Sequence, residues 1–95
     1  MTKPLNNNEL EEAISSLENW EFKDDTIHKT FTFKSFRDAI AFITRIGFEA
    51  DEMDHHPQII NLYNKVHLSL TTHETGNKVS GKDIELAKRL QDLQK

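Results

Sequence analysis

Asp51–Asp83 reads DEMDHHPQIINLYNKVHLSLTTHETGNKVSGKD and contains four of the five histidines of the chain. His55 and His56 are adjacent, and Pro57 follows them directly. Because proline disfavours helical geometry at the preceding residue, a helix that arrives from the N-terminal side should end here. The stretch therefore predicts a boundary between a helix and an extended segment, with two histidines at the boundary.

Two strand patterns follow this boundary, Ile59–Tyr63 and Val66–Thr72, and each alternates apolar and polar side chains over part of its length. If the two strands pair as a hairpin, the residues before the first strand and after the second lie at the same end. His73, just after the second strand, then comes close to His55 and His56. We expect three imidazoles in loops at one end of a sheet, where small domains commonly carry their chemistry.

The composition limits the classes of protein to consider. A length of 95 residues predicts one domain, residues 1–95, with one modest core. The absence of cysteine excludes disulfides and thiolate sites. A formal net charge of −4 argues against nucleic acid as a partner, because phosphate binding depends on clustered Lys and Arg. The sequence shows neither a membrane-spanning run nor a signal peptide, so we predict a cytoplasmic protein without membrane association.

The N-terminal half predicts a helix, two strands and a second helix. Asn6 and Glu9 have the spacing of a reciprocal helix cap, and Trp20–Lys23 and Ile27–Phe33 read as a hairpin. The second helix begins at Ser35, and its main apolar stripe follows helical spacing. The residues of this stripe are Phe36, Ala39, Ile40, Ile43, Ile46, Ala50 and Met53, with Phe42 and Phe48 lying off it on a second face that is also a candidate for burial.

The last element is a helix capped by Ser80, with Asp83 at its third position. The order is therefore α-β-β-α-β-β-α. Strands with one polar face and short connections favour an antiparallel arrangement. We predict an α+β fold in which three helices cover one face of a four-stranded antiparallel sheet.

The three clustered histidines suit acid–base chemistry, since an imidazole with a pKa of about 6.5 exchanges protons near neutral pH. Asp51 lies one helical turn before His55, so we expect its carboxylate to orient that ring. Asp83, near a helix N-terminus, is a second candidate to face the site. The sequence contains no phosphate-binding glycine loop and no dinucleotide fingerprint.

Motifs along nearly the whole chain resemble those of the pterin-4a-carbinolamine dehydratases. The resemblance rests on spaced residues in the second half and on short segments that flank them. The spaced residues are Asp51, His55-His56-Pro57, Tyr63, His73 and Asp83, and the segments are Phe33–Phe36, Phe42–Arg45, Tyr63–His67 and Thr72–Glu74.

The resemblance implies a hydro-lyase that removes water from 4a-hydroxytetrahydropterin to give quinonoid dihydropterin, in the recycling of tetrahydrobiopterin. It makes His55 and His73 the acid–base candidates and His56 the residue that binds and orients the pterin, and these three form the predicted catalytic set. No cofactor and no metal are implied. The remaining predicted substrate-binding residues are Asp51, Pro57, Tyr63, Thr72 and Asp83. One departure is Ile59, where the family often has Trp. If that Trp borders the pterin, the pocket of this chain has a different shape, which affects substrate preference more than reaction type.

Two other classes of function remain open. A metal-binding protein could use the histidine cluster, although adjacent histidines on extended backbone point apart. A binding module without catalysis is the third class, because the family includes a dimerisation cofactor of a homeodomain transcription factor. We also expect a homodimer or homotetramer, on the family resemblance and on the prediction that the strand His28–Phe33 would be a weakly protected sheet edge.

Overall fold

The computed structural model describes residues 2–94, which form helices and strands in the predicted order. The elements are α1 (Asn7–Ser15), β1 (Glu21–Lys23), β2 (Thr26–Thr32), α2 (Phe36–Met53), β3 (Gln58–Leu62), β4 (Lys65–Leu70), a 3-10 helix (His73–Thr75) and α3 (Gly81–Gln94). The predicted α+β class and the antiparallel pairing are confirmed. None of the helices within residues 2–94 is long and apolar enough to cross a membrane.

The helix starts follow the sequence closely. The Asn6 side chain accepts from the Glu9 backbone N–H at 2.8 Å, and the Asn6 backbone N–H donates to the Glu9 carboxylate at 2.9 Å. Ser35 Oγ accepts from the backbone N–H of Asp38 at 3.1 Å. These bonds satisfy backbone groups that a helix leaves without partners, so local sequence determines where α1 and α2 begin.

The strand order in the sheet is β1-β2-β4-β3, so β2 lies in the interior and the edges are β1 and β3. The expectation that the strand His28–Phe33 would be an edge is therefore wrong. The physical reason is that β2 lies between two strands: it pairs with β4 from Ile27 to Thr32, and with the short β1 at Thr26, Ile27 and His28. The exposed edge with apolar side chains is β3 instead.

The core lies between the helices and one face of the sheet. Strands β2 and β4 contribute the inward-facing side chains, with Trp20 and the helices above them. The fully buried members from these two strands are Ile27, Phe31, Val66, Leu68 and Leu70. The opposite face of the sheet carries polar residues of β2 and β4 together with the exposed Ile60 and Leu62 of β3, so the architecture agrees with the predicted one-sided layer.

Helix α2 buries Ala39, Ile46 and Ala50 of the predicted stripe, and Phe42, which lies off it, is buried as well. Phe42 is only 3% exposed, and its ring centroid lies 4.9 Å from that of Phe31 and 5.0 Å from that of Phe33. Phe36 and Ile40, placed on the predicted stripe, are 50% and 40% exposed. The buried face of α2 therefore includes Phe42, and the N-terminal part of the predicted stripe lies at the surface.

Candidate active site

His55 lies just beyond the C-terminal end of α2, where the chain changes direction. Asp54 adopts a left-handed conformation with φ of 51°, and the His55 backbone N–H still donates to Ala50 O at 3.0 Å. The chain then enters β3 through Pro57. This helix ending points the His55 ring inward, and the residue is only 8% exposed.

The partner of His55 is Asp83, 28 residues further along the chain. His55 Nε2 lies 2.5 Å from Asp83 Oδ1, and Asp83 is fully buried. Its other oxygen accepts from Thr72 Oγ1 at 2.7 Å and from the Ser80 backbone N–H at 2.9 Å. Asp83 therefore connects the end of α2, the segment after β4 and the start of α3, and its buried polar atoms have the partners that burial requires.

The contact with Asp83 determines which nitrogen of the His55 ring is engaged. An ionised carboxylate accepts hydrogen bonds but does not donate them, so the Nε2–H group of His55 donates to Asp83. In the neutral ring, Nδ1 is then the nitrogen that can take up a proton. A carboxylate in this position also stabilises the imidazolium that forms after proton uptake.

Asp51 does not orient His55, which corrects the expectation from helical spacing. The Asp51 carboxylate lies 3.3 Å from Nε2 of His56, and these side chains are 85% and 59% exposed. The reason is the left-handed residue Asp54, which ends the helical spacing and turns the His55 ring toward Asp83. A long contact between exposed groups orients His56 only weakly.

His73 begins the 3-10 helix His73–Thr75, an element that the strand pattern did not predict. Thr72 is the N-cap residue of this 3-10 helix. Gly76 is its C-cap residue and has a φ of 76°, a left-handed conformation that suits glycine. Thr75 Oγ1 bonds to the carbonyl oxygens of Thr72 at 2.8 Å and of Lys78 at 2.7 Å. The loop thus has its own hydrogen bonds and presents the exposed His73 ring from a defined backbone.

A cavity of about 260 Å³ lies between the end of α2 and the loop that carries His73. Its lining residues are Asp54, His55, His56, Thr71, Thr72, His73, Glu74 and Lys82. The predicted hairpin therefore brings the three candidate histidines to one cavity. Thr72 also lines it, and Asp83 lies directly behind His55.

Three predicted substrate-binding residues do not line this cavity. Asp51 is outside it and contacts only His56 among the candidate histidines, and Pro57 is half-buried at the start of β3. Tyr63 is 65% exposed in the turn between β3 and β4, at the opposite end of the hairpin from the cluster. The two ends of a hairpin are separated by the length of its strands, so Tyr63 lies apart from the histidines of its own chain, and its role in substrate binding stays a prediction.

Four lining residues were missed from the sequence, namely Asp54, Thr71, Glu74 and Lys82. The Lys82 ammonium donates to the Glu74 carboxylate at 2.5 Å, and this hydrogen bond is the main cause that lowers the pKa of Glu74 below its usual value. Their proximity to His73 and Asp83 in the sequence was the available signal. Proximity in the sequence is a weak signal, because charged residues near a site often form only exposed ion pairs with no role in it.

The arrangement suits a small polar ligand that exchanges protons with imidazoles. Within residues 2–94, no group of three or more His, Asp or Glu side chains is positioned to hold a metal ion. His55 Nε2 is engaged by Asp83, and His56 points toward Asp51. The geometry therefore offers proton donors and acceptors around a cavity rather than a set of convergent metal ligands.

A scan of family models matches residues 3–93 to the model described as pterin 4 alpha carbinolamine dehydratase. The chain belongs to the pterin-4-alpha-carbinolamine dehydratase family. A candidate dehydratase of this name from Opitutus terrae is 39% identical over 85 residues, covering 90% of this chain and 88% of the relative. One from Sulfolobus acidocaldarius is 41% identical over 90 residues, covering 95% and 98%.

Solved structures agree with this family assignment. The transcriptional coactivator/pterin dehydratase from Brucella melitensis superposes with a TM-score of 0.89 at 34% identity, covering 94% of this chain and 96% of that one. A pterin dehydratase-like protein described as a RuBisCO assembly factor of the alpha-carboxysome has a TM-score of 0.65 at 23% identity, over 81% and 88% of the chains. The second comparison shows the shared fold alone.

Proposed function

We propose that this member of the family removes water from a 4a-hydroxytetrahydropterin to give the quinonoid dihydropterin, with His55, His56 and His73 as its catalytic set. The observation that carries the proposal is the contact between His55 and buried Asp83 at a cavity that two further histidines line. The C4a–O bond breaks as the oxygen takes up a proton and leaves as water. The N5–H bond gives up its proton as the C4a=N5 double bond forms, so the reaction needs one acid and one base.

His55 is the base in this proposal, because Asp83 orients its ring and stabilises the imidazolium formed by proton uptake. His73 is the acid that protonates the departing hydroxyl, since its exposed ring lines the same cavity and has no carboxylate partner of the kind that engages His55 among the described residues. His56 binds the pterin and sets its orientation, with Asp51 beside it. A positioned acid or base typically contributes about 10²–10⁴-fold to the rate.

The polar groups of the cavity suit the pyrimidine edge of a pterin, which presents both donors and acceptors. Thr72, Glu74 and Lys82 supply a hydroxyl, a carboxylate and an ammonium group within the same lining. We assign substrate binding to these groups. The quinonoid product would return to the reduced cofactor in the recycling of tetrahydrobiopterin, which takes place in the cytoplasm.

The test is a dehydration assay with chemically prepared 4a-hydroxytetrahydropterin. The reaction is monitored by absorbance, and its rate is compared with the uncatalysed rate. We expect the wild-type protein to accelerate the reaction, and His73→Gln to lower kcat by about 10²–10⁴-fold. His28→Gln is the matched control, because His28 lies on the open face of the sheet, away from the cavity. Equal rates for wild type and His73→Gln would refute the proposed role.

A protein-binding function is a second candidate, favoured by the outer side of α2. Phe36, Ile40 and Phe48 are 50%, 40% and 72% exposed there, and clustered exposed apolar side chains are typical of protein-interaction surfaces. The neighbour from Brucella melitensis is described as a transcriptional coactivator as well as a pterin dehydratase. A wild-type protein without dehydration activity would favour this second function over the first.

A further inference from the structure

The open face of the sheet carries two histidines that the proposed reaction does not use. His28 lies on β2 and His67 on β4, and both side chains point away from the core, because they alternate with the buried residues Ile27 and Leu68. The two rings line a second cavity, of about 200 Å³. None of its lining residues also lines the cavity of the catalytic candidates, so the histidine pair is a separate feature of the fold.

Strand pairing fixes the distance between the two rings. His28 lies opposite Ser69 in the antiparallel pair of β2 and β4. His67 lies opposite Thr30, so the two histidines are diagonal neighbours, which are close enough for long side chains to touch. Their ring centroids are 5.5 Å apart, and the ring planes are tilted by 42°. Both strands are in the interior of the sheet, so their backbone pairing holds the imidazoles near this separation.

This separation matches the spacing of two imidazoles that share one metal ion. Each imidazole nitrogen lies about 2.0–2.1 Å from a bound zinc ion, which places the centroids of two rings on one tetrahedral ion roughly 5 Å apart. The rings of His28 and His67, at 5.5 Å, come within a small side-chain rotation of that arrangement. Two convergent imidazoles on a rigid backbone therefore form the starting geometry of a chelate.

Thr30 determines which nitrogen of the His67 ring is available. Thr30 Oγ1 lies 2.8 Å from Nδ1 of His67, so Nε2 is the nitrogen left for another partner. Histidines that bind metals usually donate a hydrogen bond through the other ring N–H group, which fixes the tautomer and the orientation of the ring. With Nδ1–H donating to Thr30, Nε2 presents its lone pair. Within residues 2–94, neither ring nitrogen of His28 has a hydrogen-bond partner, so this ring is also free to bind an ion.

We propose that His28 and His67 bind one divalent transition-metal ion on the open face of the sheet. Imidazole nitrogens favour Zn²⁺, Ni²⁺ and Cu²⁺, whereas Mg²⁺ and Ca²⁺ prefer oxygen ligands. Lys23 and Asp24 line the same cavity with opposite charges, so the two imidazoles rather than a net charge select the ion.

The ligand set also limits the strength of the site. No third His, Asp or Glu among residues 2–94 completes the set, so water or an added ligand fills the remaining positions around the ion. Binding is therefore weaker than at a structural zinc site, which has four protein ligands. The ion connects two strands of the native sheet, and an ion that binds only the folded chain stabilises it by mass action.

Calorimetric titration with zinc chloride tests the site directly. At about pH 7.5, where imidazoles are mostly neutral and able to ligate, the wild-type chain should bind Zn²⁺ in a saturable step. His28→Gln should weaken this step by about tenfold or more, because one imidazole is left. His73→Gln is the matched control, since it removes an imidazole from the other cavity and should keep the wild-type affinity. Absence of binding to wild type, equal binding to His28→Gln, or a loss in His73→Gln instead overturns the site.

Side-chain NMR spectroscopy shows where the ion binds. The chain has five histidines, and less than one equivalent of Zn²⁺ should shift the ring signals of His28 and His67 before those of the other three. Shifts that begin in the other three histidines overturn the assignment. Thr30→Val removes the hydroxyl beside Nδ1 of His67 and should weaken Zn²⁺ binding by about tenfold. An unchanged affinity in this variant overturns the role given to Thr30.

Thermal unfolding measures the link between the ion and the sheet. At a Zn²⁺ concentration about five times its Kd, mass action should raise the Tm of the wild-type chain by roughly 4–8 °C. His28→Gln should show no such rise at the same concentration, because its site is lost. An equal rise in wild type and His28→Gln would mean that the ion acts elsewhere, and the proposed site is then wrong. None of these measurements uses the dehydration reaction, so they decide the metal site whether or not the chain is a dehydratase.

Discussion

Asp83 and His55 are 28 residues apart in the chain, yet their side chains meet at 2.5 Å in the buried wall of the cavity. Because Thr72 and Ser80 also donate to Asp83, one carboxylate holds together the segments that carry His55 and His73. Asp83 should therefore contribute both to the stability of the fold and to the orientation of the His55 ring. This dual role gives the first prediction.

Asp83→Asn should lower both stability and activity. The amide has only one acceptor oxygen and presents an NH₂ group to neighbours that donate, so buried donors lose their partner. Removing one member of a buried pair costs about 3–5 kcal/mol, and we expect a loss near the lower end because the shape is kept. Urea denaturation measures the change, and the dehydration assay should show a lower kcat as His55 loses its orientation.

Asp51→Asn is the matched control, since it alters the exposed partner of the neighbouring histidine. An exposed pair contributes about 0–1 kcal/mol, so its free energy of unfolding should stay close to that of wild type. Similar losses in Asp83→Asn and Asp51→Asn would contradict the structural role given to Asp83.

The second prediction concerns His56, which is exposed and contacts Asp51 at 3.3 Å. His56→Gln should raise KM up to about tenfold, in line with one lost hydrogen bond, and leave kcat within a small factor of wild type. Steady-state kinetics should compare the kcat and KM of His56→Gln with those of wild type and of His73→Gln. If kcat falls as far as in His73→Gln, His56 takes part in the chemical step and the assignment to binding is wrong.

Local sequence determined the fold well where capping and alternation act over a few residues. The caps at Asn6 and Ser35 and the order of the elements follow from it. The strand order does not, because antiparallel hairpins joined by a helix can be arranged in more than one way. The exposure of Phe36 and Ile40 does not follow from it either, since the buried face of α2 also depends on the contacts of Phe42 with Phe31 and Phe33.

The site, like the fold, could be predicted only where it depends on local sequence or strand pairing. Closure of the hairpin sufficed to bring His73 to His55 and His56, because strand pairing relates its two ends. The partner of His55 was assigned to Asp51 from helical spacing, which the left-handed Asp54 breaks. Asp83 reaches His55 through the docking of α3, a tertiary contact that no spacing encodes.

The third prediction is that catalysis does not need a metal ion. The described residues 2–94 provide no group of three or more ligands around one point, and His55 is engaged by Asp83. Overnight dialysis against EDTA should leave the dehydration rate unchanged, and elemental analysis should find less than one equivalent of zinc or iron. Activity that is lost to the chelator and restored by a metal would overturn the acid–base mechanism.

The last prediction concerns Lys29, which faces the helices from β2, opposite buried Leu68. It is only 9% exposed, its Nζ lies 4.6 Å from the centroid of the Phe31 ring, and burial lowers its pKa below 10.5, with Glu18 opposing this. A buried ammonium costs free energy that an apolar side chain of similar volume does not. Lys29→Met should therefore stabilise the protein by about 1 kcal/mol at neutral pH.

The pH dependence of this effect has a definite sign. Below the folded pKa of Lys29, both states carry the charge and folding bears its desolvation cost. Between that pKa and 10.5, the unfolded chain binds more protons, so wild-type stability rises with pH. The advantage of Lys29→Met should be largest at neutral pH and shrink toward about pH 10, as measured by urea denaturation. Lys65→Met, at an exposed position of β4, should show neither the gain nor the pH trend. A gain for Lys29→Met that stays constant over the same range would mean that the buried charge is not its cause.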